Sequence, residues 1–308
     1  MKTGETKYPL VSIITVNYNQ SQVTMELLDS LRKITYPEVE IIVIDNDSPS
    51  DNPQEIKDHF PEIQLIISDK NLGFAGGNNL GIKASKGDYL LFINNDTEVP
   101  TGFLEPLVEL LENDRKIGMV SPKIKFHWNP EIVQYAGFSE MNRFTIRNKG
   151  LGYHKKDNPE SDRLQETASV HGAAMMVPRS VIQKVGMMPE VYFLYYEEHD
   201  WAQRIKNAGY KIMYQPASFV LHKESISTGK ESPLKTYFLA RNRILFARRN
   251  FSGFSFVISM LFQLFISIPK NTVTFLAKRQ TKHLQAYFRG IFWNLVHYRN
   301  LKSNPQLN

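Results

Sequence analysis

The chain has 308 residues, of which 42% are hydrophobic, 22% charged and 12% aromatic, a composition typical of globular proteins and not of fibrous or wholly disordered ones. It contains no cysteine, which excludes disulfide scaffolds, cysteine nucleophiles and cysteine-ligated zinc or iron–sulfur centres. Residues 232–308 carry 12 Lys and Arg and no acid, whereas residues 1–231 carry 25 basic and 31 acidic residues. An acidic body with a basic tail indicates an anionic partner, either nucleic acid or a phospholipid surface.

The first 120 residues alternate between short β-branched apolar runs and segments with helical periodicity. The apolar runs predict strands at residues 10–16, 40–44, 63–67 and 89–93. The periodic segments predict helices at residues 21–33, 53–60, 76–86 and 100–113. This alternation predicts an α/β fold with a mostly parallel sheet and helices on both of its faces.

Beyond Gly118 the periodicity is weaker, because turn-forming residues and scattered aromatics dominate residues 122–170. Strands are predicted at residues 170–177, 211–214 and 218–221. Helices are predicted at residues 179–185, 199–207 and 237–249, the last of them basic. The Lys, Ser, Gly and Pro content of residues 223–233 predicts a mobile loop before this basic helix.

The C-terminal tail contains an uncharged, mostly apolar block at residues 251–268, with Arg248, Arg249 and Lys270 at its ends. A nucleic-acid-binding tail would mix its basic residues with polar ones, so the block favours an anionic membrane surface over nucleic acid. A polar residue recurs at every fourth position of this block. This polar stripe consists of Ser255, Ser259, Gln263 and Ser267. We expect a helix that lies in the membrane interface rather than one that spans it, the alternative being a helix buried against the body or a second subunit.

A second aromatic and basic segment follows at residues 286–298. The N-terminal residues 1–8 are polar and show no signal-peptide pattern, so the body is expected on the cytoplasmic face of the membrane. Whether the chain forms a homo-oligomer stays open at this point.

Polar residues collect at the ends of three predicted strands in the first half of the chain. They are Thr15, Asn17 and Asn19 at the first, Asp45, Asn46 and Asp47 at the second, and Asn94, Asn95 and Asp96 at the fourth. Ligands of open α/β sheets bind beyond the carboxyl ends of the strands, so these clusters predict a binding rim for a polar ligand. The 94–96 cluster fits a Mg²⁺ or Mn²⁺ site that takes most of its ligands from substrate phosphates.

Residues 71–81 read NLGFAGGNNLG and predict a flexible, hydrogen-bonding loop. The spacing is not that of the dinucleotide-binding fingerprint, and no Gly-Lys-Ser/Thr of a Walker loop is present. The alternative is a simple helix N-terminal turn.

Residues 195–201 place four ionisable groups beside three aromatic side chains at a predicted helix start. The adjacent Glu197 and Glu198 are candidates for a general base, although the helix dipole also favours acids there. Asp200 and Arg204 have the spacing of a structural ion pair. His222 ends an apolar strand and becomes a ligand candidate if it faces the rim.

With these motifs in this order, residues 9–250 resemble family 2 glycosyltransferases of the GT-A fold, in their rhamnosyltransferase-like branch. The matching segments are VSIITVNYN (11–19), VIDNDS (43–48), NLGFAGGNNLG (71–81), FINNDT (92–97), GAAMMV (172–177), YEEHD (196–200) with Arg204, Pro216 and Ala217 with His222, and Arg241 with Asn242. The ordered set is specific for the family and much less so for the sugar.

The resemblance implies an inverting transfer from a nucleotide-diphospho-sugar, with Mn²⁺ or Mg²⁺ as cofactor. It implies that Asp96 binds the metal that bridges the diphosphate, and His222 matches a position that can ligate this metal. Glu198 aligns with the catalytic base, and Glu197 and Asp200 are back-up candidates. The residues implied to hold the donor are Thr15, Asn17, Asp45, Asn46, Asn71, Gly73, Asn79, Asn94 and Asn95.

Two residues depart from the family pattern. Asn94 stands where the Asp-x-Asp motif has its first Asp, which leaves one charge fewer for the metal. Glu198 replaces the usual Asp, and its additional methylene changes the reach of the base. Arg241 or Arg243 would stabilise the leaving diphosphate or hold a lipid diphosphate on the acceptor, with contact to lipid headgroups as the alternative.

Together these features predict a GT-A type, Rossmann-like catalytic domain at residues 1–232, with a nucleotide-binding half (1–120) and an acceptor half (121–232). A helical membrane-associating region follows at 233–308. The expected acceptor is a polyprenyl-diphosphate-linked saccharide that is used to build a cell-surface polysaccharide. As donor, dTDP-rhamnose is favoured over UDP-sugars.

One rival function is that of a nucleotidyltransferase, but residues 17–22 after the first strand lack the Gly and Lys that such enzymes need. The other is an inactive homologue that acts as a membrane-bound assembly subunit.

Overall fold

The computed structural model describes residues 8–224, 232–297 and 304–307. Most of the mobile loop predicted at 223–233 therefore lies outside the described residues, as do the basic residues Arg299 and Lys302.

The first half of the chain forms the predicted parallel sheet. Strands β1 to β4 are Val11–Asn17, Val39–Asp45, Gln64–Ile67 and Tyr89–Ile93, and helices α1 to α3 are Ser21–Leu31, Gln54–His59 and Gly73–Ala84. β1 pairs in parallel with β2 and β4, and β2 pairs in parallel with β3, which gives the order β3-β2-β1-β4. The carboxyl ends of these strands therefore lie at one edge of the sheet.

The second half of the chain extends this sheet with strands of both directions. Its elements are β5 Thr97–Glu98, α4 Glu105–Asn113, β6 Ile117–Phe126, β7 Asn129–Tyr135, β8 Lys155–Lys156, β9 Gln165–Glu166, β10 Ala174–Pro178, α5 Arg179–Val185, α6 Glu197–Asn207 and β11 Lys211–His222. β10 runs antiparallel between β4 and β6, and β11 runs parallel to β6. The result is a mixed sheet with β5 pairing at the far side of β11.

Two features of this half were not predicted from the sequence. β6 contains Pro122 and Lys123, which interrupt its apolar pattern, but Lys123 is buried and pairs with Asp157 at 2.8 Å. Such a pairing compensates the burial of the charge and is invisible to periodicity. The two short strands predicted after residue 210 form the single strand β11, whose register with β6 shifts around Pro216.

Alternate strand residues face two separate cores, one on each side of the sheet. Ile13 packs with Leu27 of α1 on one face, whereas Ile14 packs with Trp201 of α6 on the other. Because burial of apolar surface on both faces fixes each strand, the polar residues at the strand ends are held in place as well.

The C-terminal region consists of helices α7 Pro233–Asn250, α8 Gly253–Phe262, α9 Ile268–Ala277 and α10 Thr281–Val296. A π-helical turn at Gln263–Ser267 joins α8 and α9 into one 25-residue helix, Gly253–Ala277. Within the described part of the chain, this is the one helix long and apolar enough to cross a membrane, by length and composition alone.

The predicted polar stripe faces the protein body. Ser259, Gln263 and Ser267 are buried, and Gln263 Nε2 donates to the carbonyl of Thr145 at 3.3 Å. The opposite side of the helix, together with α10, exposes a broad apolar face. We define this apolar face by Phe254, Val257, Leu261, Leu264, Phe265, Ile266, Val273, Leu276, Phe288, Phe292, Leu295 and Val296. The alternative of a helix buried on the body is therefore wrong for this face.

Candidate active site

The carboxyl ends of three parallel strands carry one connected network of buried polar side chains. Asn17 and Asp45 end β1 and β2, and Asn17 Nδ2 donates to Asp45 Oδ1 at 2.8 Å. Thr24 Oγ1 donates to Asn17 Oδ1 at 2.8 Å, and Asn95 Nδ2, after β4, donates to Thr24 Oγ1 at 3.1 Å. The structure thus brings together one residue from each of the three predicted clusters.

Asp45 and Thr15, two of the predicted donor-site residues, are held in different ways. Asp45 also accepts hydrogen bonds from Ser48 Oγ at 2.6 Å and from the Ser48 amide at 3.1 Å, which fix its carboxylate. Thr15 is fully buried within β1, beneath the rim rather than on it. Its Oγ1 atom makes no hydrogen bond to any described residue.

Asn46 and the start of α3 form the adjoining part of the rim. Asn46 Nδ2 donates to Asn71 Oδ1 at 3.2 Å and to the Gly73 carbonyl at 3.1 Å, while Asn46 Oδ1 accepts from the Leu72 amide at 2.9 Å. Gly73 has a φ of +69°, and a Cβ atom there would collide with the Phe193 carbonyl. The glycine is required because the chain approaches the 193 loop closely with a left-handed backbone.

Asn79 is placed differently from its expected role in donor binding. Its amide donates to the Met188 carbonyl at 3.0 Å and to Glu190 Oε1 at 2.8 Å, and it accepts from the Met188 amide at 3.0 Å. Since both ends of the amide are used, Asn79 fastens α3 to the segment that leads to α6 instead of facing a ligand.

Asp96 and His222 meet where β5 pairs with β11. His222 Nε2 lies 3.1 Å from Asp96 Oδ1, and both residues are buried. His222 Nδ1 lies 2.7 Å from Gln134 Oε1, and because that oxygen only accepts, Nδ1 is the donor in this contact. Nε2 faces the Asp96 carboxylate and makes no hydrogen bond of acceptable geometry to the described residues.

This pair fits a divalent cation as far as its donor set goes. A carboxylate oxygen and an imidazole nitrogen suit Mn²⁺, and the Gln134 contact is the orienting bond that ligating histidines usually have. The described residues contain no group of three or more His, Asp or Glu side chains suited to a metal. Further ligands would therefore have to come from the substrate. The backbone amide of Asn94 donates to the Ala173 carbonyl at 2.9 Å and makes no contact with Asp96 or His222.

Glu197 and Glu198 begin α6 directly after a strained turn. Phe193, Tyr195 and Tyr196 all have positive φ, of 64°, 68° and 78°, which is unfavourable for side chains of this size. Glu198 Oε1 lies 3.7 Å from His199 Nε2, and Glu198 Oε2 is buried with no hydrogen-bond partner in the described ranges. The Glu198 carboxylate therefore has one oxygen that receives no hydrogen bond from the described residues, while the side chain as a whole is 16% exposed.

Glu197 differs from its neighbour in its surroundings. Its side chain is buried, and burial together with the charge of Glu198 raises the pKa of Glu197 well above its ordinary value. Desolvation disfavours the charged form of a carboxylate, so Glu197 is held in its protonated state over a wider pH range.

The carboxylate of Asp200, a predicted back-up base, is occupied by structural hydrogen bonds. It accepts hydrogen bonds from Tyr192 Oη at 2.8 Å, Arg249 Nε at 2.7 Å and Asn250 Nδ2 at 3.0 Å. Arg204, its predicted ion-pair partner, instead donates to backbone carbonyls of the 185–187 turn. Asp200 thus ties α6 to α7.

Arg241 and Asn242 of α7 hold the strained turn that precedes Glu197. Arg241 is buried and donates to the Val191 carbonyl at 2.8 Å and to the Tyr192 carbonyl, and burial lowers the pKa of its guanidinium. Asn242 Nδ2 donates to the carbonyls of residues 192, 194 and 195 at 3.1, 2.7 and 2.8 Å. The expectation of a diphosphate contact at Arg241 is therefore replaced by a contact to the backbone.

Sequence reasoning missed two histidines near the two halves of the site. The ring of His171 lies 5.8 Å from that of His222, and burial, with the charges of neighbouring histidines, lowers the pKa of His171 to about 3. His199 Nδ1 lies 2.7 Å from Ser169 Oγ. The rim was predicted from residues that directly follow strands, and neither histidine has such a position. His199 was noted only as one of the ionisable residues at 195–201.

Comparisons with known proteins find similar glycosyltransferases. An N-acetylglucosaminyl-diphospho-decaprenol L-rhamnosyltransferase of Mycobacterium tuberculosis is 24% identical over 72% of this chain and 78% of its own length. A low-salt glycan biosynthesis hexosyltransferase of Haloferax volcanii is 27% identical over 82% of this chain and 80% of its own.

Two solved structures share the fold. A mannosyltransferase from Pyrobaculum calidifontis, in complex with GDP-Man and Mn²⁺, superposes with a TM-score of 0.58 and 15% identity over 96% of this chain and 89% of its own. GalNAc-T7 with UDP, GalNAc and Mn²⁺ superposes with a TM-score of 0.61 and 19% identity over 77% of this chain, which spans about half (51%) of that structure. These likenesses confirm the predicted GT-A fold.

The profile described as glycosyl transferase family 2 matches residues 12–185, more than half of the chain. This segment includes the Asn17–Asp45 network, Asp96 and the glycine-containing start of α3. The resemblance expected from the sequence motifs is thereby confirmed, and the chain belongs to glycosyl transferase family 2.

Proposed function

We propose that this family 2 glycosyltransferase moves a sugar from a nucleotide-diphospho-sugar to an acceptor hydroxyl, with inversion and with Glu198 as the general base. The observation that carries the proposal is the pair of Asp96 and His222 beside the Asn17–Asp45 network, at the carboxyl edge of the sheet. Nucleotide ligands of α/β sheets bind at this edge.

The donor would lie along the rim. Asn17, Asp45 and Asn46 would form the ordered floor of the site for its base and ribose, because hydrogen bonds to one another, to Asn71 and to α3 fix their side chains. Asn71 and Asn94 lie at the ends of this row and are half-buried, so their amides are accessible to a ligand.

Asp96 and His222 would hold a divalent cation, for which the imidazole nitrogen favours Mn²⁺ over Mg²⁺. When bound, such an ion neutralises the negative charge that develops on the leaving diphosphate. Gln134 fixes the ring of His222 through Nδ1, so that Nε2 stays directed at the Asp96 carboxylate.

Glu198 would take the proton of the acceptor hydroxyl on its carboxylate, which is partly exposed and lies at the start of α6. A direct displacement at the sugar carbon inverts its configuration and needs no enzyme nucleophile. The turn held by Asn242 positions the start of α6, and therefore Glu198, relative to the rim.

The favoured sugar is rhamnose, and the favoured acceptor is a saccharide linked to a polyprenyl diphosphate. The support is the likeness to the mycobacterial rhamnosyltransferase, whose name includes a diphospho-decaprenol acceptor.

We also propose that the enzyme works on the cytoplasmic face of a membrane, with the apolar face inserted in the interface. Exposed basic residues accompany that face and would contact anionic headgroups. They are Lys270, Lys278, Arg279, Lys282 and Arg289. The polar stripe supports a helix that lies flat, because its buried side chains contact the protein body. In a helix that crosses the membrane, the same side chains would face lipid instead.

Calorimetric titration of the full chain with dTDP, UDP and GDP, each with and without Mn²⁺, tests the donor site. Binding of one nucleotide that needs Mn²⁺ is expected and would identify the donor class. Incubation with the matching radiolabelled nucleotide sugar and bacterial membrane lipids then tests transfer. Absence of binding by folded protein to all three nucleotides would contradict the proposal and favour the inactive assembly subunit.

A further inference from the structure

Tyr196, two residues before Glu198, links Arg243 to the loop that carries Arg147. Arg243 Nε donates to Tyr196 Oη at 3.4 Å, and Tyr196 Oη donates at 3.4 Å to the carbonyl of Ile146, the residue before Arg147. The charge of Arg243, with burial as a second cause, lowers the pKa of the Arg147 guanidinium. Arg147 is exposed and Arg243 is half-buried, so both guanidinium groups are accessible to a ligand at the same loop.

Neither arginine pairs with a carboxylate among the described residues. Across the described ranges, no carboxylate oxygen lies within 4.0 Å of Arg147 or Arg243, whereas Arg249 pairs with Asp200 and Arg32 pairs with Glu62. Two like charges held near each other without a counterion are unfavourable, and a bound anion would relieve that repulsion.

The pair lies between the apolar face and the candidate base. The loop that carries Arg147 packs on the long helix, where Gln263 Nε2 donates to the Thr145 carbonyl at 3.3 Å and the rings of Phe144 and Phe262 are 4.6 Å apart. On its other side, Tyr196 is two residues from Glu198, so the Cα atoms of the two residues are at most about 7 Å apart. An anion here would lie at the membrane side of the base.

We propose that Arg147 and Arg243 bind the diphosphate of a prenyl-diphosphate-linked acceptor. The prenyl chain would run along the apolar face, and the sugar attached to the diphosphate would reach Glu198. Guanidinium groups suit this role, because their planar donors bind phosphate oxygens in pairs. The inference rests on the proposed function and assigns the acceptor site to Arg147 together with Arg243, rather than to Arg241.

A phospholipid headgroup offers the same phosphate chemistry, so the experiment separates the two sources. Full-length protein in neutral detergent is titrated with geranylgeranyl diphosphate, with geranylgeraniol and with dTDP or UDP plus Mn²⁺. Co-sedimentation with phosphatidylglycerol vesicles is measured in parallel. The variants are R147Q/R243Q, the milder R147Q alone, and the control K83Q/K155Q, which removes two exposed charges from the body.

We expect R147Q/R243Q to weaken geranylgeranyl diphosphate binding about tenfold or more, as for loss of charged hydrogen bonds, and R147Q to have a smaller effect in the same direction. Geranylgeraniol binding, nucleotide binding and vesicle binding should match wild type, and the control should be unchanged throughout. Undiminished binding of the diphosphate by R147Q/R243Q would overturn the inference. So would an equal loss of vesicle binding, which would assign the arginines to headgroups. Failure of nucleotide binding in wild type would instead count against the donor site alone.

Discussion

His222 Nε2 lies 3.1 Å from Asp96 Oδ1, although the two residues belong to different halves of the chain. The antiparallel pairing of His222 with Thr97 brings them together, and Gln134 from β7 fixes the histidine ring from the other side. The contact therefore depends on three strands that the sequence separates widely. It also makes the metal hypothesis specific, because loss of a ligand (Asp96 or His222) and loss of the orienting bond (Gln134) have different expected effects.

Replacement of Asp96 by Asn, or of His222 by Ala, should abolish the Mn²⁺-dependent part of nucleotide binding, since each removes one of two protein ligands. Q134L should weaken Mn²⁺ binding about 10–100-fold, because the ring of His222 loses its orienting bond. Calorimetric titration of Mn²⁺ and nucleotide measures both effects, and D29N, at an exposed site on α1, is the control. Wild-type Mn²⁺ affinity in D96N would remove this site from consideration.

Glu198→Gln should lower kcat about 10²–10⁴-fold, as expected for loss of a positioned base, while nucleotide affinity stays at the wild-type value. The amide keeps the shape of the side chain but cannot accept the proton. The assay is transfer of radiolabelled sugar at saturating donor. Full activity in E198Q would move the role of base to another residue, and E197Q, measured alongside, would show whether that residue is Glu197.

Glu197 should make stability depend on pH with a definite sign. Because its pKa is raised in the folded state, the folded protein favours the protonated form. Its contribution to the free energy of unfolding is fully present below the unfolded pKa of about 4.3 and is lost as pH rises towards the folded value. Glu197→Gln should therefore be stabilising relative to wild type at pH 8 and nearly neutral at pH 5. Urea unfolding at both pH values measures this, and an equal difference at both would contradict it.

Asp200→Asn should destabilise the protein by about 3–5 kcal/mol, because it leaves the buried guanidinium of Arg249 without its carboxylate. The two side chains are only 4% and 6% exposed. Glu62→Gln is the matched control: it breaks the exposed pair with Arg32, which should change the free energy of unfolding far less. Urea unfolding of both variants gives the comparison. If D200N unfolds like wild type but loses transfer activity, Asp200 has a catalytic rather than a structural role.

The rim was predictable from the sequence because its residues follow strands of one parallel sheet. Asn17 and Asp45 end neighbouring strands in register, so the position of each in the chain already placed them side by side. Asn79 shows the limit of this reasoning. It belongs to the same motif as Asn71, but its direction is set by contacts with Met188, 109 residues later.

The roles of charged residues were harder to predict, since they depend on tertiary partners. Asp200 has the spacing to pair with Arg204, but its partner is Arg249, 49 residues away on α7. Arg241 carries a charge suited to a diphosphate, yet burial directs it to backbone carbonyls. In both cases the sequence showed the charge, and only the packing of α7 against the 191–200 segment showed its partner.

The apolar face should carry the membrane affinity of the protein. Phe265→Glu combined with Leu264→Glu places two charges on exposed positions of that face, so it should abolish binding to phosphatidylglycerol vesicles without loss of stability. Gln263→Glu is the control, because it places one charge on the buried polar stripe of the same turn. It should lower the free energy of unfolding while the remaining folded protein still binds vesicles. Co-sedimentation and urea unfolding of the variants separate the two sides of the helix. Vesicle binding retained by the Phe265 and Leu264 double variant would show that the basic residues, rather than the apolar face, hold the enzyme at the membrane.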